Sequence, residues 1–186
     1  MNPVERLKSR ISSEIQKSSA PSMCHRYIDS PVGKLLVAST PHGISRVAFE
    51  VEDQQGILNT LKCTATENWD NQQFLDIFEQ QLTEYFQQER GCFSVPIDIY
   101  ASGFTADVLE RLREITYGRT LSYGAFAKAL GAPFAARAVG SACAANPVPL
   151  ILPCHRVIRA DGSFGEYVGG KEVKKYLLTF EEQACQ

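Results

Sequence analysis

The chain has 186 residues, of which 44% are hydrophobic and 22% charged, a balance suited to one large or two small globular domains. This excludes a disordered chain, a collagen-like repeat and a disulfide miniprotein, and no apolar run reaches the roughly 18 residues of a membrane helix. The net charge of −2 hides an asymmetry: residues 1–110 carry 9 Lys and Arg against 15 Asp and Glu, whereas residues 111–186 carry 10 against 6. The second part suits an anionic partner, although chance alone explains such a split. Met1 to Lys17 is polar, with no apolar core of a secretory signal. A cytoplasmic protein with no membrane partner is the expectation, nucleoid-associated in a bacterium or archaeon.

In chain order, residues 1–22 read as a Ser-rich, weakly helical tail. Three short strands follow at Tyr27–Asp29, Gly33–Ser39 and Gly43–Phe49, separated by Ser30-Pro31-Val32-Gly33 and Thr40-Pro41-His42-Gly43. Both separators are turn chemistry, so an antiparallel meander is predicted. Asn71–Gln88 places Phe74, Ile77, Phe78, Leu82, Tyr85 and Phe86 at helical spacing. Phe93–Ile99 reads as a further strand, and Tyr100–Phe104 as a linker. The predicted division is therefore a tail 1–22, an N-terminal α/β domain 23–100 and a C-terminal domain 101–186.

The C-terminal part is mainly helical. Ala106–Ile115 has Val108, Leu109, Leu112 and Ile115 on one face and ends at Tyr117-Gly118. Ser122 is the predicted N-cap of a helix Tyr123–Leu130. Gly131-Ala132-Pro133 then turns into a helix Phe134–Ala145, closed by Asn146-Pro147, which makes a helix-turn-helix candidate. The apolar run Val148–Leu152 leads to Cys154. Asp161-Gly162 is a turn, and Gly169-Gly170 precedes a last helix, Lys171–Gln183.

Helices that read bases in the major groove carry several long polar side chains. Phe134–Ala145 has one, Arg137, among Ala135, Ala136, Ala138, Gly140, Ser141, Ala142, Ala144 and Ala145. Such a surface cannot spell a sequence, but it suits close approach to the minor groove, about 6 Å wide, with one cation reaching into the base stack. A tightly packed core helix explains the same small residues, and on this helix alone it is the better reading.

Six cysteines, at 24, 63, 92, 143, 154 and 185, show no Cys-x-x-Cys pair, and the histidines are His25, His42 and His155. Reduced thiols and no closely spaced zinc site are expected. Pro153-Cys154-His155-Arg156-Val157 places a thiol beside two basic side chains, a pattern that points to a nucleophile of lowered pKa. In extended chain, neighbouring side chains point apart, so His155 would reach the sulfur through a water. A carboxylate behind the imidazole would orient it, and the last helix offers Glu172, Glu181 and Glu182. Met23-Cys24-His25-Arg26 repeats the Cys-His-Arg triplet without the preceding apolar run and is read as incidental.

Val148-Pro149-Leu150-Ile151-Leu152-Pro153-Cys154-His155-Arg156-Val157-Ile158 resembles the active-site segment of the O6-alkylguanine-DNA alkyltransferases, also called methylated-DNA–protein-cysteine methyltransferases. Tyr117-Gly118, Ser122-Tyr123, Ala136-Arg137-Ala138-Val139-Gly140 and Asn146-Pro147 precede it in the family's order. Gly165, Tyr167, Gly169-Gly170, Lys174, Leu177-Leu178 and Glu181 follow it, and Ser30-Pro31-Val32-Gly33-Lys34-Leu35-Leu36 resembles the start of the family's N-terminal domain. The resemblance spans about residues 27–182. It implies an α+β fold: an N-terminal RNase H-like α/β domain, then a mainly helical C-terminal domain with a helix-turn-helix.

It also implies roles. Cys154 accepts the alkyl group, His155 is its base through water, Glu181 completes the relay and Asn146 holds the bend before the active-site segment. Tyr123 rotates the target phosphate and donates to the flipped guanine, and Arg137 fills the gap in the stack. Tyr167, Val168 and Gly169 line the guanine pocket, which Lys174 supports. On the residues' own pattern, the small side chains of Ala136, Ala138 and Gly140 suit a DNA-facing surface, and Arg119, Lys128, Arg156, Arg159 and Lys175 of the basic half are candidate phosphate contacts. The implied partners are double-stranded DNA, bound in the minor groove without sequence preference, and alkylated guanine. A monomer that takes no cofactor and acts once is expected.

There are departures from the family pattern. Phe104-Thr105 and Val108-Leu109 stand for Phe-Gln and Val-Trp, Thr116 for Pro, and Val168 for a Ser of some members. Thr40 and Ser45 occupy positions that bind zinc in vertebrate members, so no metal is expected. Three rivals remain: a cysteine peptidase or acyltransferase using a separate histidine, a non-catalytic alkyl-lesion binder, and a transcription factor.

Overall fold

The computed structural model describes residues 23–61 and 69–184. The tail 1–22, Cys63 and Cys185 lie outside the described residues. Strands β1 (Cys24–Ile28), β2 (Leu35–Thr40) and β3 (Gly43–Ala48) form the antiparallel meander in that order. Ser30 closes the first turn: its hydroxyl donates to the Gly33 carbonyl at 2.7 Å, and Gly33 takes a φ of +94° that a side chain would disfavour. Every residue of β2 is buried because both faces of the strand are covered. Leu35 and Val37 join the main core with helix α2 (Trp69–Phe86), while Leu36 packs with Ala48 and with Leu58 of helix α1 (Gln54–Leu61).

Several boundaries differ from the sequence expectation. β1 begins at Cys24, so that cysteine is a buried sheet residue rather than the end of a tail. Phe93–Ile99 is not a strand. It touches β3 by a single bridge between Ile44 and Ile97, where the Ile44 amide donates to the Pro96 carbonyl at 2.8 Å. Pro96 has no amide to continue a ladder. The next helix, α3, runs Gly103–Leu112 and then loosens into turn bonds through Ile115.

The helix-turn-helix comprises α4 (Tyr123–Ala129) and α5 (Ala136–Ala144). Ser122 caps α4 as expected, its hydroxyl accepting from the Ala125 amide at 3.1 Å. α5 starts two residues later than expected because Gly131, Ala132 and Pro133 hold a turn through Ala135. Just before α4, the two-residue strand β4 (Leu121–Ser122) pairs in parallel with β5 (Val157–Ile158). This pairing ties the start of the helix-turn-helix to the segment directly after Cys154. The last helix, α6 (Lys171–Gln183), matches its expected span.

Candidate active site

Val148–Leu152 is buried as expected but is not a strand: Leu150 has a φ of +73° and the run folds into turns. Asn146 organises the loop. Its side-chain amide donates to the Leu152 carbonyl at 2.8 Å and to Cys154 Sγ at 3.2 Å, and its oxygen accepts from the Val148 amide at 3.1 Å. Both amide protons and the oxygen of a 1% exposed side chain are thereby engaged, and the sulfur is held at the end of the loop.

Cys154–Arg156 forms one turn of 3-10 helix rather than extended chain. With three residues per turn, side chains leave about 120° apart instead of alternating. Cys154 meets Asn146, while His155 and Arg156 both reach Glu181 on α6. His155 Nε2 lies 2.8 Å from Glu181 Oε1, and Arg156 donates to the same carboxylate from Nε at 2.9 Å and from Nη2 at 3.0 Å. Tyr85 of α2 donates its hydroxyl to Oε1 at 2.7 Å, and the Gly118 amide reaches Oε2 at 3.1 Å.

Arg156 therefore corrects one expectation. It is 4% exposed and also donates to the carbonyls of Ile115, at 2.6 Å, and Gly91, at 3.1 Å. A guanidinium committed to a buried carboxylate and two carbonyls is not a surface phosphate contact.

The same arrangement corrects the expectation of a lowered thiol pKa. Burial pushes the Cys154 thiol up to about 11, and the Asn146 hydrogen bond and the nearby Lys174 charge only partly oppose it. The two basic neighbours do not help, because Arg156 is neutralised by Glu181. Burial also lowers the His155 pKa, outweighing the carboxylate beside it, so the ring is neutral. Burial would raise Glu181, but its bonds to His155 and Arg156 win and hold it down at about 2. His155 Nδ1 is buried with no hydrogen-bond partner among the described residues.

The expected pocket residues gather beside this centre. Lys174, fully buried, donates to the Val157 carbonyl at 2.7 Å and lies 5.7 Å from the Tyr123 ring. Burial lowers its pKa while the thiols of Cys154 and Cys143 act the other way. Burial pushes the Tyr123 phenol up to about 12, so it remains a donor. Gly165 lets Tyr123 sit close, since a Cβ there would lie 3.1 Å from the hydroxyl. Tyr167 packs edge-on to His155 and against Phe49. Gly169 is required by the Phe49 ring, which a Cβ would meet at 2.8 Å, and Val168 between them is half-buried.

On α5, Val139, Ala142 and Cys143 pack inward, so the core-helix reading is right for one face only. Arg137 and Ala138 are exposed, Ala136 and Gly140 half-buried. Arg119, Lys128, Arg159 and Lys175 are exposed, and none of them, nor Arg137, has an ion pair among the described residues.

Two family models match: 6-O-methylguanine DNA methyltransferase, ribonuclease-like domain, over residues 23–99, and the DNA binding domain of the same name over residues 103–183. The chain belongs to the 6-O-methylguanine DNA methyltransferase family. Its enzyme class is that of the methylated-DNA–protein-cysteine methyltransferases, which repair DNA by moving an alkyl group onto a cysteine. Proteins of that name from Methanosarcina acetivorans and Haemophilus influenzae are 36% and 33% identical, with 86% and 87% of this chain and 98% and 87% of theirs covered. The Mycobacterium tuberculosis OGT in complex with DNA superposes with a TM-score of 0.76 at 35% identity, covering 87% of this chain and 94% of that one. The α+β fold, a ribonuclease-like N-terminal domain followed by a helical DNA-binding domain, agrees with both comparisons.

For this family member the histidines bear on the rivals. His25 packs edge-on to Tyr27, and His42 is exposed in the β2–β3 turn. The histidine at the site is His155, so the peptidase reading lacks its separate base. The lesion-binder reading fails because the cysteine is present. Among the described residues no helix is long and apolar enough to cross a membrane. Sequence reasoning missed Tyr85 and the carbonyls of Gly91 and Ile115. Tyr85 was legible only as an apolar-face residue of α2, and a backbone carbonyl carries no sequence signal.

Proposed function

We propose that the protein removes the alkyl group from O6-alkylguanine, and from O4-alkylthymine, in duplex DNA and keeps it on Cys154. The single observation that carries this reading is the buried Cys154 sulfur. It is held by Asn146 and stands next to a histidine whose far nitrogen is fixed by Glu181. A thiol with a pKa of about 11 is unreactive until its proton is taken, which protects it between encounters.

In this reading, α5 docks in the minor groove of any sequence through its small-residue face, and Arg119, Lys128, Arg159 and Lys175 meet phosphates. Arg137 occupies the gap left by the flipped nucleotide, and Tyr123 turns the adjacent phosphate. Tyr167, Val168 and Gly169 line the pocket for the base, with Lys174 beneath Tyr123. The Cys154 proton passes through a water to His155 Nδ1, and the Glu181 carboxylate stabilises the resulting imidazolium. The sulfur then bonds to the alkyl carbon as the carbon–O6 bond breaks, and the electron pair leaves with guanine, which accepts a hydrogen bond from Tyr123. The sulfur is the final acceptor, so no cofactor or metal is required and each molecule turns over once. The protein works as a monomer, wherever the cell keeps its DNA. Unit 101–186 carries the chemistry, and unit 23–100 supports Glu181 through the Tyr85 hydroxyl and Arg156 through the Gly91 carbonyl.

The test is intact mass after incubation with an oligonucleotide containing O6-methylguanine. One methyl is expected on Cys154, and none in Cys154→Ala, which should still bind duplex. A methyl on another cysteine, or transfer that persists in Cys154→Ala, refutes the assignment.

A further inference from the structure

Phe134 is wholly exposed, at 100%, the extreme among the large apolar side chains of the described residues. It is not on a loose segment. The Gly131 amide donates to Lys128, Ala132 to Ala127 and Ala135 to Ala132, at 3.0, 3.0 and 2.9 Å, and Gly131 adopts a φ of +74° within this turn. Pro133 fixes the backbone immediately before it. The ring is therefore held out from the start of α5, three residues before Arg137 and next to the exposed face that carries Ala138. An aromatic ring kept in water by a rigid turn forgoes the burial it gains in any apolar contact. Proteins that dock in the minor groove use such side chains against sugars and base steps.

We infer that Phe134 is an apolar DNA contact, seated on the deoxyribose wall of the minor groove beside the position that Arg137 enters. The inference rests on the docking of α5 proposed above. Deoxyribose is the same at every nucleotide, so the contact adds affinity without sequence preference. It also distinguishes Phe134 from Lys128 and Arg119, whose contribution falls with salt while an apolar one does not.

The experiment measures affinity for an unmodified duplex at several salt concentrations. Phe134→Ala should bind about tenfold more weakly at each salt, the size expected for losing roughly half of a phenyl ring's burial. The slope of log affinity against log salt should stay at the wild-type value, whereas Lys128→Ala should reduce it by about 0.9. Phe134→Leu should recover most of the affinity, and melting temperatures should be unchanged because the ring touches nothing in the free protein. Wild-type affinity in Phe134→Ala, a reduced slope, or no recovery in Phe134→Leu each overturns the inference. Arg137→Ala separates the two levels. If it too binds like wild type, the docking of α5 is wrong. If it alone is weakened, docking stands and the role of Phe134 fails.

Discussion

Replacing Glu181 tests the centre of the site most directly. The carboxylate is 1% exposed and the Arg156 side chain 5%, so removing one partner strands the other away from water. Breaking a buried ion pair costs about 3–5 kcal/mol. The pH linkage leads to a similar size independently: a carboxyl held at about 2 instead of 4.5 adds about 3 kcal/mol of stability at neutral pH. Against a total of about 5–15 kcal/mol, Glu181→Ala should fold but with a much lower urea midpoint. Glu181→Gln keeps the shape, yet its NH2 faces donors on either side, and one unpaired buried donor costs about 1–3 kcal/mol. The sign is fixed by the depressed pKa. The stabilisation is complete above about pH 5 and fades as the pH falls from 4.5 toward 2, so the gap between wild type and Glu181→Gln should narrow in acid. Urea unfolding between pH 7 and pH 3 measures the gap, and time courses by intact mass measure transfer, which should slow at least about a hundredfold without the relay. A Glu181→Gln protein as stable and as fast as wild type at pH 7, or a gap that widens in acid, would refute the reasoning.

Two further outcomes follow from the same geometry. Arg137→Ala should slow repair on duplex strongly but on a mismatched lesion or free O6-benzylguanine only slightly, because those substrates need less unstacking; equal losses on all three would assign Arg137 to the fold or the pocket. Methylation of Cys154 should lower the melting temperature and benzylation should lower it further, since a group added beside a 3% exposed sulfur overpacks the site by about 1–3 kcal/mol for the first methyl and displaces the Asn146 bond. Unchanged melting after full modification, read by differential scanning fluorimetry, would show spare room at the sulfur.

Much of this protein was legible in one dimension because its signals are local. Turn chemistry at Ser30–Gly33 and Thr40–Gly43 placed three strands, a serine with the right spacing placed the cap of α4, helical spacing placed α2, and the Gly169-Gly170 break marked the start of α6. The Pro153–Val157 core marked a candidate nucleophile, and its resemblance to the family motif, with Asn146 before it and Ala136–Gly140 upstream, implied an alkyl-accepting cysteine. Wherever a conclusion depended on which atoms meet across distant segments, local signals misled. Arg156 looked like a free cation beside a thiol, but a single turn of 3-10 helix carries it into the interior, where Glu181 and two carbonyls use its charge. The thiol pKa moves up rather than down for the same reason: burial and neutralised neighbours are properties of the packed chain, not of adjacency. Phe93–Ile99 has strand-like residues, yet Pro96 and the single partner Ile44 leave it one bridge. Tyr85, 96 residues before Glu181, enters the site only because α2 and α6 pack together. Spacing and turn propensity in the sequence thus placed most elements, and the family resemblance named the candidate chemistry-bearing residues. Tertiary structure decided their charge states and partners, because desolvation and hydrogen-bond geometry exist only once distant segments exclude water between them.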